Sequence, residues 1–394
     1  MTAGADTGAS TGTGTAETVR ADLLDCLQVN LALLADRHHG PGTHLRLGAR
    51  LRFAPRPGPD GLPTVEPTLD DHLADASELL GLTVATRVSG VDRPVIAAAG
   101  GPVYVVADAH YLPWVPYFGH KHVEHSFLVE PGADGDTVEV TDGYHNDTQW
   151  GKARPGSHTY GRDELAAILA ADPQGVELLH LVPRPLGPAP RPAADLDADR
   201  AAEYLRAYAE HPDRTAALER FTLETWLLAR ARKLYAQYAA GGPEAAVDPA
   251  AAEHLARWDG VVEHAYLTFR RVARGRAEPP ELLARAAEVL RADATALTGG
   301  GPAAEPEGGA ATGDGELRPT VRAVVADVLA LDEHLVPDTE LTGLAEFSSL
   351  RMVEIVEGLE AAFDVEFGPD DLVPEKLHRI DDLCGLVHRA LAAR

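Results

Sequence analysis

Residues 341–367 read LTGLAEFSSLRMVEIVEGLEAAFDVEF, in which a serine pair is followed directly by a helical pattern. Apolar side chains recur after the pair with the spacing of one helix face, at Leu350, Val353, Leu359 and Phe363. Ser349 therefore lies near a predicted helix N-terminus. Unbonded amide N–H groups and the helix dipole favour a phosphate group at such a position. The position of Ser349 thus suits a phosphodiester.

The region around this serine resembles an acyl or peptidyl carrier protein. That family carries Asp-Ser-Leu followed by x-x-Val-Glu and an acidic helix, and residues 348–354 here read SSLRMVE. The resemblance implies a four-helix carrier domain at 317–394 with 4'-phosphopantetheine attached covalently to Ser349. It also implies a phosphopantetheinyl transferase, an acyl- or aminoacyl-loading enzyme and other carrier proteins as partners. Ser348 replaces the usual Asp, and a helical bundle with an unmodified serine is the alternative.

Composition restricts the remaining function classes. The chain of 394 residues is 45% hydrophobic and 24% charged, and its net charge of −26 argues against nucleic acid or an anionic membrane as the main partner. No apolar run is long enough to span a bilayer, and the N-terminal residues lack the features of a signal peptide. Two cysteines cannot build a disulfide framework, so we expect a cytoplasmic protein with reduced thiols.

Three stretches of low complexity divide the chain into predicted domains. Residues 1–17 have the composition of a disordered tail, residues 183–192 are rich in proline, and residues 298–316 form a Gly/Pro/Ala linker. The predicted domains are an α+β domain at 18–185, a helical domain at 195–297 and the carrier domain at 317–394.

The first predicted domain combines a helix pattern near its start with several strand patterns. The strand patterns lie at residues 83–88, 103–107, 126–130 and 137–141. The sequence GADG at 132–135 supplies a turn between the last two, which predicts a β-hairpin. The second predicted domain has no strand pattern, and its charged residues are expected to form solvated helix faces.

Cys26 lies at the start of the first helix pattern. Asp25 suits the N-cap position and Gln28 follows three residues later, as in a capping box. This spacing predicts Cys26 in the first helical turn, where the helix dipole favours the nucleophilic thiolate. A buried cysteine without a catalytic role is the alternative for this residue considered by itself.

The predicted hairpin supplies two partners for this thiol. His125 precedes one strand and Asp142 ends the next, so strand pairing brings the two side chains together. Nucleophile, base and orienting carboxylate then form a Cys-His-Asp arrangement. Gln28, Asn30 and His122 are candidates for an oxyanion or substrate contact. Capping by Gln28 and loop capping by Asn30 remain open.

The sequence HKHVEH at 120–125 also has the spacing of metal ligands. His120, His122 and His125, with Asp108, would provide a zinc-type ligand set. A group of histidines directly before a strand more simply supplies one catalytic base, so we predict no metal.

The order and spacing of Cys26, His125 and Asp142 resemble papain-like folds of the bacteriocin-leader peptidase type. Segments 25–40, 45–53, 111–130 and 138–143 further resemble the N-terminal domain of the butirosin-type (BtrH-like) acyltransferases, in which a helical domain follows. The resemblance implies a multidomain α+β protein with a papain-like cysteine-hydrolase-type domain. It implies Cys26 as nucleophile, His125 as base and Asp142 as its orienting carboxylate. No oxyanion-hole Gln precedes Cys26, which departs from the papain pattern.

Together, these features predict an acyltransferase of secondary-metabolite or antibiotic biosynthesis. It would move an acyl or aminoacyl group from a phosphopantetheine thioester, on Ser349 or on a separate carrier, to a small-molecule amine. A cysteine thioesterase, amidase or peptidase would use the same three side chains. The third alternative is a non-catalytic carrier platform.

Overall fold

The structure is a computed structural model that describes residues 19–90, 101–298, 317–338, 340–344, 346–368, 371–372 and 377–392. The predicted tail at 1–17 and all but the first residue of the predicted linker at 298–316 lie outside the described residues.

The chain divides into two compact units. The first comprises Met1–Leu51, Pro67–Ala193 and Arg230–Ala246, and the second comprises Arg52–Glu66, Ala194–Ala229 and Val247–Arg394.

The described residues form both α-helices and β-strands. The strands are β1 (Arg50–Arg52), β2 (Arg56–Pro57), β3 (Pro63–Thr64), β4 (Leu82–Ser89), β5 (Val103–Asp108), β6 (Glu124–Pro131), β7 (Thr137–Asp142), β8 (Asn146–Thr148), β9 (Gly151–Ala153), β10 (Gly156–Gly161), β11 (Glu177–Pro183) and β12 (Ala193–Asp195). The helices are α1 (Gln28–His39), α2 (Leu69–Leu79), α3 (Arg162–Leu169), α4 (Ala198–Glu210), α5 (Arg214–Ala240), α6 (Pro249–Ala273), α7 (Leu282–Thr298), α8 (Arg318–Leu329), α9 (Ser349–Phe363) and α10 (Ile380–Ala392).

An antiparallel six-stranded sheet organises the first unit, with the order β10-β7-β6-β5-β11-β4. The four predicted strands and the hairpin between β6 and β7 are confirmed. Asp134 Oδ1 accepts hydrogen bonds from the amides of Asp136 (3.1 Å) and Thr137 (3.0 Å) in the hairpin turn. Gly135 adopts a φ of 78° there, which favours glycine. The sequence therefore fixes the strand pair that carries His125 and Asp142.

Helix α1 is enclosed within the first unit. Its eight consecutive residues from Val29 to Asp36 are all buried. A helix that is covered on every side gives its first residue a fixed position, because neighbouring elements hold it over its whole length. The turn that precedes α1 is consequently a rigid place for a reactive side chain.

The second unit contains a helical core that also includes a segment from the N-terminal third of the chain. Buried Glu224 in α5 accepts hydrogen bonds from the Thr64 hydroxyl (2.7 Å), the Val65 amide (2.6 Å) and the Tyr204 hydroxyl (3.0 Å). These bonds join residues 52–66 to the helices. The unit boundaries therefore differ from the predicted domain boundaries at 18–185 and 195–297.

Helices α8, α9 and α10 share an apolar core at the C-terminal end of the second unit. Met352, Leu359, Leu383 and Cys384 are fully buried in it. Three helices of the predicted four-helix carrier are thus described. Between α9 and α10, residues 369–370 and 373–376 lie outside the described residues. The overall prediction of a mixed, multidomain chain with a helical C-terminal region is confirmed.

Among the helices of the described residues, none combines the length and the apolar composition that a membrane span requires.

Candidate active site

Cys26 lies in a turn just before α1, which corrects the prediction that it belongs to the first helical turn. The predicted capping box is present: Asp25 Oδ1 accepts from the amides of Leu27 (2.9 Å) and Gln28 (2.7 Å), and Gln28 Oε1 accepts from the Asp25 amide (3.2 Å). The Cys26 carbonyl accepts instead from the Ser126 hydroxyl at 2.6 Å. Because that carbonyl is held by a strand residue, the regular helix begins two residues after the thiol.

Buried side chains fix the backbone on both sides of Cys26. The Tyr104 hydroxyl donates to the Leu27 carbonyl at 2.8 Å, and the Arg230 guanidinium donates to the Leu24 carbonyl. Burial lowers the pKa of Arg230, although nearby acidic groups oppose that effect. The candidate nucleophile is therefore held in place before any substrate arrives, which is a requirement for efficient catalysis.

His125 and Asp142 form a buried pair across the hairpin. His125 Nε2 lies 2.7 Å from Asp142 Oδ2, and the two residues are 0% and 5% exposed. Asp142 also accepts from Trp114 Nε1 at 3.2 Å and from the Tyr144 amide at 2.9 Å. Burial acts to raise the pKa of Asp142, but the charge of His125 and these hydrogen bonds outweigh it, so the pKa lies below its ordinary value. The carboxylate is thus ionised and can orient the imidazole.

The second ring nitrogen of His125 is available for proton exchange. Nδ1 is buried and has no hydrogen-bond partner among the described residues. When Nε2–H donates to Asp142, Nδ1 carries the lone pair that a general base needs. The Cys26 thiol donates to the carbonyl of Glu124, the residue before His125, at 3.3 Å. His125 at the start of β6 and Asp142 at the end of β7 therefore lie at the hairpin end opposite the turn, and the Cys26 thiol contacts β6 at that same end.

Two tyrosines border this arrangement. The Tyr144 ring packs edge-on against the His125 ring at 5.2 Å, and the Tyr117 and Tyr144 hydroxyls are 3.2 Å apart. Burial raises the pKa of Tyr144 well above its usual value, and the negative form of Cys26 nearby adds to the rise. Burial raises the pKa of Tyr117 as well, so both phenols remain protonated near neutral pH.

Asn30 has a positioning role. Its side chain is fully buried, and Nδ2 donates to the Ser126 carbonyl at 2.8 Å while Oδ1 accepts from the Gly143 amide at 3.0 Å. These bonds tie α1 to β6 and to the residue that follows Asp142. Both polar atoms of the Asn30 amide thus bond to the protein's own backbone, which argues against the predicted oxyanion or substrate contact.

Gln28 Oε1 accepts a hydrogen bond from the Asp25 amide, which favours the capping alternative for Gln28.

The other histidines of the 120–125 group point to different partners. His122 is exposed, lies 2.5 Å from Asp108 Oδ2 through Nδ1, and stacks on His110 at 4.1 Å. His120 stacks on Trp150 at 5.7 Å. The contacts of His122 are thus with Asp108 and His110, and the predicted substrate contact of His122 stays a prediction. Within the described part of the chain, no group of three or more metal-ligating side chains is suitably arranged for a metal ion.

At the C-terminal end, α9 begins at Ser349. Ser348 is its N-cap, and the Ser348 hydroxyl accepts from the Arg351 amide at 3.3 Å. Serine and aspartate are both favoured N-caps, so Ser348 performs locally what an aspartate does at this position. Ser349 is the first residue of a helix of 15 residues, where backbone amides and the helix dipole suit a phosphate. The residues fit a phosphodiester attached at this serine.

Comparison with known proteins agrees with this geometry. Residues 319–387 match the family described as phosphopantetheine attachment site. The C-terminal region is a carrier-protein domain. It handles acyl groups bound to 4'-phosphopantetheine that is attached covalently at a serine, and it requires a phosphopantetheinyl transferase and acyl-loading enzymes as partners. No curated protein matched the chain.

Several contributors to the site could not be predicted from the sequence. Trp114, Ser126 and Arg230 come from separate parts of the chain. Trp114 donates to the Asp142 carboxylate, Ser126 donates to the Cys26 carbonyl, and Arg230 donates to the carbonyls of Ala21, Leu24 and His145. The position of Tyr144 could have been predicted more easily, because Tyr144 lies two residues after Asp142 in the sequence and its amide donates to that carboxylate.

Replacing Asp142 by asparagine should destabilise the first unit in a pH-dependent way. We expect the free energy of unfolding to fall by about 2–4 kcal/mol near neutral pH, because a buried ionic hydrogen bond is lost. The folded pKa of Asp142 is depressed, so its stabilisation is present above the unfolded pKa of about 3.9 and is lost as pH falls through the folded value. Urea denaturation followed by circular dichroism should show the difference shrinking below about pH 4.

Asp70→Asn is the matched control, because Asp70 pairs with Arg87 at an exposed position. That change should alter stability by less than about 1 kcal/mol at any pH. A difference between wild type and Asp142→Asn that is equally large at pH 3 and pH 7 would contradict the assignment of an ionised Asp142.

Proposed function

We propose that the chain is an acyltransferase that moves an acyl or aminoacyl group from a carrier-bound thioester to an amine and thereby forms an amide. The observation that carries this proposal is the His125–Asp142 pair, which leaves Nδ1 of His125 without a hydrogen-bond partner among the described residues, while the Cys26 thiol contacts the carbonyl of the preceding residue, Glu124. A carrier domain in the same chain supports a thioester substrate. The butirosin-type resemblance supports an amine acceptor in secondary-metabolite biosynthesis.

Phosphopantetheine, when attached at Ser349 or on a separate carrier, presents the acyl group as a thioester. In the first step, His125 Nδ1 takes the proton of the Cys26 thiol, and the sulfur attacks the acyl carbonyl. A C–S bond to Cys26 forms while the bond to the donor sulfur breaks. His125 returns the proton to the departing sulfur. The acyl group is then bound to Cys26.

In the second step, the acceptor amine attacks the acyl carbon on Cys26. His125 removes the amine proton, the C–S bond to Cys26 breaks, and the thiol recovers a proton as the amide leaves. Asp142 keeps the imidazole in the required orientation and stabilises its protonated form in both steps. Asn30 keeps α1, β6 and the residue after Asp142 in register, so it acts through the position of the catalytic residues.

The direct test is to follow the acyl group within the full-length chain. The carrier domain is first loaded by a broad phosphopantetheinyl transferase with acetyl- or longer acyl-coenzyme A, in the absence of an amine. Peptide mass spectrometry should then find the acyl mass on the peptide that contains Cys26. Addition of simple primary amines should remove it and yield the amide.

The products distinguish the alternatives. If the free acid accumulates at the same rate with and without amine, the chain is a thioesterase and the transfer proposal is wrong. If acyl groups stay on the carrier domain for hours and the Cys26 peptide remains unmodified with every acyl group tried, the first unit is a non-catalytic platform.

A further inference from the structure

A row of arginines ends α6 and continues into the following turn of the second unit. Its members are Arg270, Arg271, Arg274 and Arg276. In a chain with a net charge of −26, four closely spaced cations without intervening acidic residues form a distinctive feature. The mechanism proposed above makes no use of them. Their acidic partners are Glu357 and Glu360 on α9, the helix that begins at Ser349, and Glu366, three residues after that helix ends.

Glu357 of α9 is held by two of these arginines. Arg270 lies 3.3 Å from Glu357 Oε2 and Arg274 lies 2.7 Å from Glu357 Oε1. The Arg270 guanidinium also lies over the Tyr266 ring, 5.9 Å from its centroid. The carboxylate is therefore enclosed between two cations of the helical region.

Glu360, one helical turn further along α9, is held by the other two arginines. Arg276 lies 2.5 Å from Glu360 Oε2, and Arg271 lies 3.6 Å from Glu360 Oε1. Arg271 also donates to the Phe367 carbonyl at 3.1 Å and is 6% exposed. Two successive acidic positions on one face of α9 thus meet four arginines.

Apolar packing accompanies the charge pairing. Leu267 of α6 is 2% exposed and belongs to the buried core of the carrier region, where Val353 and Val356 of α9 line the same groove. Outside this groove, His378 Nε2 lies 2.9 Å from Glu263 Oε2 of α6. As a result, none of residues 350–360 is exposed. The first part of the acidic helix after the attachment serine is thus buried or half-buried.

We propose that the arginine row is a docking site for the acidic helix of the carrier domain, and that docking withholds this helix from the phosphopantetheinyl transferase and other partners. The inference rests on the carrier assignment and is independent of chemistry at Cys26. Charge complementarity is the reason for choosing the carrier as occupant. The pairs at Glu357 involve partly exposed side chains, so added salt weakens this part of the contact.

The test uses the full-length chain and the double variant Arg270→Gln/Arg274→Gln. Carboxylates are labelled with a water-soluble carbodiimide and glycine ethyl ester, and peptide mass spectrometry reads the labelling of Glu357. We expect labelling to rise roughly fivefold or more in the variant, and to rise in wild type as salt increases. The rate of phosphopantetheine incorporation from coenzyme A should rise by a similar factor.

Arg379→Gln is the matched control, because Arg379 pairs with Glu340 at 3.2 Å within the carrier region and both side chains are exposed. It should leave both readouts unchanged. Circular dichroism must show equal helix content in all chains. If Glu357 labelling is the same in wild type and the double variant, the docking site is wrong. If labelling rises while the incorporation rate does not, docking does not withhold the helix and the proposal is overturned.

Discussion

Cys26→Ala is expected to lower the rate of amide formation by about a thousandfold or more, because the acyl group loses the sulfur to which it is transferred. The substitution removes few packing contacts, since Cys26 is only partly buried and lies in a turn that Asp25, Ser126 and Arg230 hold through its backbone and capping bonds. Loading of the carrier domain should be unaffected. The measurement is the initial rate of amide release from the acyl-loaded chain, followed by mass spectrometry.

The chain contains its own matched control in Cys384, which is 0% exposed in the core of the carrier domain. Cys384→Ala should retain the rate of amide formation, although it should lower the stability of that domain by about 1 kcal/mol. His125→Ala should lose as much activity as Cys26→Ala, and the double variant should lose little more, because the two residues act as a unit. A Cys26→Ala chain that forms amide at the wild-type rate would show direct aminolysis with His125 as base.

The sequence was most informative where local chemistry and strand alternation agree. Residues 126–130 and 137–141 with the turn GADG predicted the hairpin, and antiparallel pairing then determined that His125 and Asp142 meet. The start of α1 was predicted two residues too early. The reason is a tertiary bond: the Ser126 hydroxyl binds the Cys26 carbonyl, and no local pattern around Cys26 reveals a donor 100 residues away.

Long-range contacts also explain what the sequence left out. Strand β10 is polar and contains two glycines. Strand β11 lies between β4 and β5 and has the adjacent buried residues Leu178 and Leu179, so neither strand shows the alternation typical of a half-buried strand. Residues 52–66 contribute to the helical core because of their bonds to Glu224, which lies about 160 residues away in the chain. The sequence predicts that the charged residues of the helical domain form solvated faces, whereas the arginines at 270–276 are paired with Glu357, Glu360 and Glu366 of the carrier region.

Ser349→Ala is expected to abolish incorporation of phosphopantetheine. Intact-protein mass spectrometry after incubation with coenzyme A and a broad transferase should show the full mass increase for wild type and none for this variant. Ser349 is the first residue of α9, and its replacement by alanine, a good helix former, leaves the helix itself stable. The loss should therefore reflect the missing hydroxyl, and acyl transfer that starts from the chain's own carrier domain should disappear with it.

Substitutions of Ser348 distinguish the residue that carries phosphopantetheine from the residue that caps α9. Ser348→Ala removes the acceptor for the Arg351 amide and should destabilise α9 by about 1 kcal/mol, yet it should still permit modification. Ser348→Asp retains a favoured N-cap and introduces the residue usual in carrier proteins, so it should be modified at least as fast as wild type. Modification that survives in Ser349→Ala and vanishes in Ser348→Ala would instead place the attachment at Ser348.

A donor carrier supplied in trans that restores amide formation to Ser349→Ala would further show that Cys26 accepts acyl groups from other chains.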